Sequence, residues 1–202
     1  MALSKIALQR KREKKKKKRQ VKVSNLFSST SSTMIDYHNW PIHECFVPTE
    51  LWKCGIGQII MSRTNNRGDI AVGIYLIDTY CLGIKDCFVY LTNAYEYQNM
   101  LENMRNSSGE MEIVEASYAN TLITKAAEYA NQFGFKPHSD FSKASRLLRG
   151  IPTNEEHEFS FGRDGKPLYI QGPNESPTEV RRILKTLESS KGAENCNSSS
   201  DT

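Results

Sequence analysis

The segment Asp78-Thr79-Tyr80-Cys81-Leu82-Gly83-Ile84-Lys85-Asp86 sets two carboxylates and an amine around a break that follows a very apolar run. If the two ends of the break converge, a lysine between carboxylates tunes an acid/base group or holds a phosphate. The same residues also fit ordinary turn chemistry, with Asp78 and Asp86 at strand ends and Lys85 in solvent. A second segment, Gly134-Phe135-Lys136-Pro137-His138-Ser139-Asp140-Phe141, places His138 and Asp140 just before an expected helix. A helix N-terminus favours anions, and Ser139 or Asp140 suits the capping position there. Asp78, Lys85, Asp86, His138 and Asp140 are therefore the candidate catalytic groups, and only the fold can bring them together.

Other chemistry-bearing residues point less sharply. His38, His43, Cys45 and Cys54 lie close in sequence, and on a strand His43 and Cys45 share a face. Structural zinc sites use close ligand pairs of a different spacing, so no metal or cofactor is assigned. Cys45, Cys54, Cys81, Cys87 and Cys196 are odd in number and lack a CxxC pair; they read as reduced thiols, four of them in or beside apolar stretches. Phe161-Gly162-Arg163-Asp164-Gly165-Lys166-Pro167 matches neither a P-loop nor GxGxxG. Its Arg163 and Lys166 suit either phosphate contact or a solvated tip. No G-x-S-x-G elbow or HExxH is present. The strand expected at 57–63 lacks the carboxylate of a two-metal nuclease.

The remaining constellation is electrostatic. Residues 1–20 hold Lys5, Arg10, Lys11, Arg12, Lys14, Lys15, Lys16, Lys17, Lys18 and Arg19 against one acid, Glu13, a net +9. The whole chain is +4, so the other residues sum to −5. Mobile clustered cations attract phosphates without needing defined geometry, and Lys22 extends the cluster. The expected partner is RNA or DNA, RNA or a ribonucleoprotein above all, with an acidic protein as the other choice. Short basic clusters also act as nuclear-import signals. No apolar run approaches the roughly 20 residues of a membrane span, and the head lacks the apolar stretch of a secretory signal. A cytoplasmic setting is expected, or a nuclear one for a eukaryotic source.

Composition and periodicity place the elements. Residues 1–20 read as a basic disordered head, 21–35 as a Ser/Thr-rich linker, 36–188 as one domain and 189–202 as a disordered tail. Strands are expected at 44–47, 57–63, 70–78 and 87–91, with turn residues at 64–69 and a break at 80–83. The apolar run 70–78 predicts burial on both faces. Asn93 with Glu96 predicts a capped helix burying Tyr97, Met100, Leu101 and Met104. A longer helix is expected over 111–133 and a third over 140–148, stopped by Gly134 and Gly150. Residues 159–170 predict a hairpin turning at Asp164-Gly165. Ser176-Pro177-Thr178-Glu179 predicts a capping box and a last helix. The class is α+β: an antiparallel β-meander, three to four packed helices, and a C-terminal hairpin plus helix.

The motifs Trp40-Pro41-Ile42-His43-Glu44-Cys45, Tyr75 to Asp86, Gly134 to Phe141 and Phe161 to Pro173 resemble a family of uncharacterised bacterial proteins over about residues 37–188. The resemblance implies a bacterial intracellular setting and supports the domain limits. It carries over no activity, cofactor or site residue. The functional expectation is a nucleic-acid-associated binding protein acting through its polybasic head, without catalysis. The alternative is an enzyme on a phosphate-bearing or nucleic-acid substrate, through Asp78, Lys85, Asp86 and His138. A further alternative is a protein-interaction module in a stress or defence system.

Overall fold

The computed structural model describes residues 37–172, 175–190 and 197–199. The basic head and the linker, and with them every basic residue from Lys5 to Lys22, lie outside the described residues, as does most of the 189–202 tail.

Ile70–Asp78 forms β3, buried along nearly its whole length on both faces. It pairs antiparallel with β2 (Ile56–Thr64) through an unbroken register from Ile56↔Asp78 to Thr64↔Ile70. The connecting turn is held by Asn65, whose Oδ1 accepts the amides of Arg67 (2.9 Å) and Asp69 (3.0 Å), the local bonding that makes asparagine a turn residue. β1 (Ile42–Pro48) and β4 (Gly83–Thr92) flank this pair, and β5 (Met111–Ile113) closes one edge. The sheet order is β4-β3-β2-β1-β5, all antiparallel. The α+β meander is thus present, with its two middle strands in the order expected.

Side chains alternate across the sheet, so each face needs cover. One face, with Cys45, Ile59, Met61, Tyr75, Ile77 and Cys87, packs on α3 (Ala116–Gln132) through Ala119, Leu122, Ile123 and Ala126. It also packs on α4 (Phe141–Ala144), which runs into a 3-10 turn at Ser145–Leu148. The other face, with Phe46, Ile60, Val72 and Ile74, packs on Tyr97, Leu101 and Met104 of α2 (Ala94–Ser108). Asn93 caps α2 by accepting the Glu96 amide at 3.0 Å. The last long helix, α5 (Pro177–Ser189), starts with a complete capping box between Ser176 and Glu179. It buries Ile183 and Leu187 against Cys81, Leu82 and Tyr169.

Two positions fix how the layers meet. Gly83 has φ +63°, and a Cβ there would lie 2.6 Å from the Ala126 carbonyl oxygen of α3. Glycine lets the β3–β4 turn press on the helix backbone. Arg63 is 6% exposed, and its guanidinium is bound by backbone carbonyls. Its Nε, Nη1 and Nη2 donate to the carbonyls of Leu147 (2.8 Å), Trp40 (2.7 Å) and Arg149 (2.6 Å), so the rigid guanidinium fork ties β2 to the segments on either side.

Several boundaries differ from expectation. Residues 111–113 are strand, and the helix starts at Ala116: Met111, Glu112 and Ile113 pair with Pro48, Val47 and Phe46, which gives β1 a partner on its free edge. The expected helix over 140–148 is one α turn and one 3-10 turn. β1 and β4 are longer than expected, and the single-turn helix α1 (Leu51–Cys54) has no counterpart in the sequence reading. The hairpin turn stands at Asp164-Gly165, both at positive φ (55° and 76°), closed by the Arg163↔Lys166 bridge. Its return side continues as β6 (Leu168–Ile170), which pairs in parallel with β7 (Asn197–Ser199). The outgoing side, with Phe159 and Phe161, packs its rings instead of joining a ladder. Among the described residues, no helix is long and apolar enough to cross a membrane.

Candidate functional site

The β3–β4 ladder contains a bulge at the first chemical motif. Leu76 pairs with Asp86 and Ile77 with Ile84, so Lys85 is an extra residue on β4. A bulge re-aims a side chain, and Lys85 turns to Glu175, ahead of α5. Lys85 Nζ lies 2.6 Å from Glu175 Oε1, with the two side chains 17% and 16% exposed. Glu175 Oε2 accepts the Gly172 amide at 3.0 Å and the Tyr169 hydroxyl. Burial works against the Glu175 charge, yet Lys85, Tyr169 and the Gly172 amide hold its pKa below the usual carboxylate value. Burial, with the adjacent carboxylate, pushes the Tyr169 hydroxyl well up.

Asp78 belongs to the turn. It is 6% exposed, and its Oδ1 accepts the amides of Tyr80 and Cys81, each at 2.9 Å. Burial raises its pKa, opposed by those amides and by the Lys85 charge. Its carboxylate closes the β3–β4 connection, the structural role weighed at the outset.

Asp86, His138 and Asp140 form a separate group. The His138 amide donates to the Ile84 carbonyl at 3.0 Å, which fixes the imidazole beside β4. His138 Nδ1 stands 3.7 Å from Asp86 Oδ1 and 4.0 Å from Asp140 Oδ2, and it accepts the Asp140 amide at 3.3 Å. Asp140 occupies the cap position of α4, but its side chain makes no capping bond and pairs with Lys143 at 3.3 Å. A single-turn helix leaves few amides for a cap to satisfy. The five sequence candidates therefore divide: Asp78 and Lys85 are held by turn amides and by Glu175, whereas Asp86 and Asp140 stand beside the half-exposed His138 imidazole.

His38, His43, Cys45 and Cys54 do not assemble. Cys45 is buried in the sheet–helix core and its thiol is pushed up to about 11 by burial; Cys54 is exposed at the end of α1. The His43 ring lies tilted (53°) against Tyr97, with centroids 5.3 Å apart. Among the described residues, no three His, Cys, Asp or Glu side chains are grouped as metal ligands.

A groove missed in the sequence lies elsewhere. Trp52 of α1, Tyr118 of α3 and Phe159 meet from three distant segments. The Trp52 and Phe159 rings are stacked (5.6 Å, 15°), and Tyr118 meets Phe159 edge-on (5.3 Å, 75°). These rings, with Glu158, Arg163 and Asp164 at the margin, line a cavity of about 520 Å³. Tyr80, also in the lining, is pinned by its hydroxyl to the carbonyls of Trp52 (3.1 Å) and Lys53 (2.8 Å). The hairpin tip is held in place by Gly162, at φ +77°, where a Cβ would come within 2.7 Å of the Tyr129 hydroxyl and 2.6 Å of the Lys166 carbonyl. No periodicity links these aromatics; the one local signal was the Phe159/Phe161 alternation, which read as strand.

No family model, curated protein or solved structure matches the chain.

Proposed function

We propose that the protein is a nucleic-acid-associated binding protein, directed to RNA or a ribonucleoprotein, whose polybasic head supplies sequence-tolerant affinity. The observation that carries this reading is the segregation of charge: +9 in residues 1–20 against −5 in all the rest. An acidic body does not offer a broad phosphate-binding surface, so the head must supply the electrostatic attraction, and counterion release makes that attraction strongly salt-dependent. Specificity falls to the folded body. Deleting residues 1–20 should abolish polynucleotide binding in a mobility-shift assay and leave the unfolding midpoint of the body unchanged. Unchanged binding after the deletion defeats the reading.

The enzyme reading has one favourable observation, the Asp86–His138–Asp140 group. Asp78 and Lys85, which it also needs, are engaged in the turn and with Glu175. If that reading holds, His138→Ala abolishes turnover of a phosphate-bearing substrate without loss of fold; residual full activity in that variant excludes it.

A further inference from the structure

We infer that the groove formed by Trp52, Tyr118 and Phe159, with Glu158, Asp164 and Arg163 at its margin, takes a single unpaired nucleobase, guanine before the others. The inference rests on the nucleic-acid reading above and assigns the base-reading element that a nonspecific head cannot provide.

Three features favour this occupant. The cavity, about 520 Å³, falls within the range of small-ligand sites, roughly 300–1,000 Å³. Its floor consists of half-exposed rings, and a flat base gains stacking energy on such rings whatever its identity. The margin then discriminates. Glu158 and Asp164 are acceptors only, so they demand a ligand edge rich in donors. Guanine offers an adjacent ring N–H and amino group to one carboxylate; cytosine and adenine offer an amino group alone, and uracil a single imide N–H. Arg163 and Lys166, both exposed on the hairpin tip, supply cations for the phosphates on either side of the base. An organic cation would suit the rings and carboxylates but leave these two charges opposed.

The groove is also built to stay open. Tyr80 is fixed by two backbone carbonyls, and Gly162 seats the tip against Tyr129 and the Lys166 backbone. The backbone on both sides of the groove is thereby tied, and the rings rest on one another, which lowers the cost of ordering on binding.

The test uses the full-length chain and fluorescently labelled uridine 12-mers carrying one central guanine, cytosine, adenine or uridine, measured by anisotropy over a series of salt concentrations, with base preference compared at a single concentration within it. The guanine oligomer should bind about tenfold more tightly than all-uridine, the scale of one bidentate base contact. Glu158→Gln with Asp164→Asn, both on exposed residues, should reduce that preference to within twofold while leaving the salt dependence intact. Trp52→Leu should weaken every oligomer; Trp52→Phe should restore most of the loss, which separates stacking from folding damage. A wild type without base preference, or a preference that survives the carboxylate variants, overturns the inference and leaves the head-binding reading standing. Absence of binding to every oligomer at low salt overturns both.

Discussion

Lys85 Nζ and Glu175 Oε1 sit 2.6 Å apart although ninety residues separate them in sequence. The pair joins the bulged start of β4 to the segment that leads into α5, and Tyr169 and the Gly172 amide complete it. A polar group left alone in a low-dielectric setting is costly, so the pair acts as a latch for the C-terminal helix.

Glu175→Gln should therefore lower unfolding free energy by about 2 kcal/mol at neutral pH, since it strips the partner from a mostly buried ammonium. Urea denaturation measures it. A change under about 0.5 kcal/mol, the range of surface substitutions, contradicts the latch.

The same pair sets a pH dependence. The folded Glu175 pKa lies below its ordinary value, so its contribution is fully present above the unfolded carboxylate pKa of about 4.3 and is lost as pH falls through the folded value. Asp78 has the opposite sign. Its folded pKa is raised by burial, so protonation relieves a cost as the solution becomes acidic. The stability difference between wild type and Glu175→Gln isolates the first effect: it should be constant near neutrality and shrink below about pH 4. A difference that grows on acidification would refute the assignment.

Arg63→Lys should cost about 3 kcal/mol, because an ammonium cannot serve three carbonyls fixed by a planar fork and leaves buried acceptors unpaired. Thermal and urea unfolding should agree on the loss. Near-wild-type stability would mean that water replaces the fork at Leu147, Trp40 and Arg149.

Asp78→Asn should be tolerated far better than Asp78→Ala. Asparagine retains an Oδ1 acceptor for the Tyr80 and Cys81 amides, whereas alanine forfeits both bonds, at about 1 kcal/mol each. Equal losses in the two variants would give the charge, and not the turn geometry, the governing role.

What could be read locally from the sequence was sound where one segment decided the outcome. The apolar run of β3, the Asn65 turn, the Asn93 cap and the Ser176–Glu179 box each depend on neighbours a few residues away. The reading failed where a distant partner decided. Met111, Val114 and Tyr118 keep a helical spacing, yet the free edge of β1 draws Met111–Ile113 into the sheet. The site candidates suffered likewise. Lys85 and Asp86 are adjacent, but the bulge sends Lys85 to Glu175 and leaves Asp86 with His138. Glu175 carried no local mark, and Trp52, Tyr118 and Phe159 become neighbours only through packing.

The proposed function places the polyanion affinity in the head. Its most direct test is the slope of log affinity against log salt for single-stranded RNA, measured on the full chain and on a chain lacking residues 1–20. Ten basic side chains in that segment, if all meet phosphates on a single strand, give a slope of about −7. The full chain should give a slope approaching this value, and the shortened one should lose measurable binding. Equal affinity and equal slope in the two proteins would contradict it.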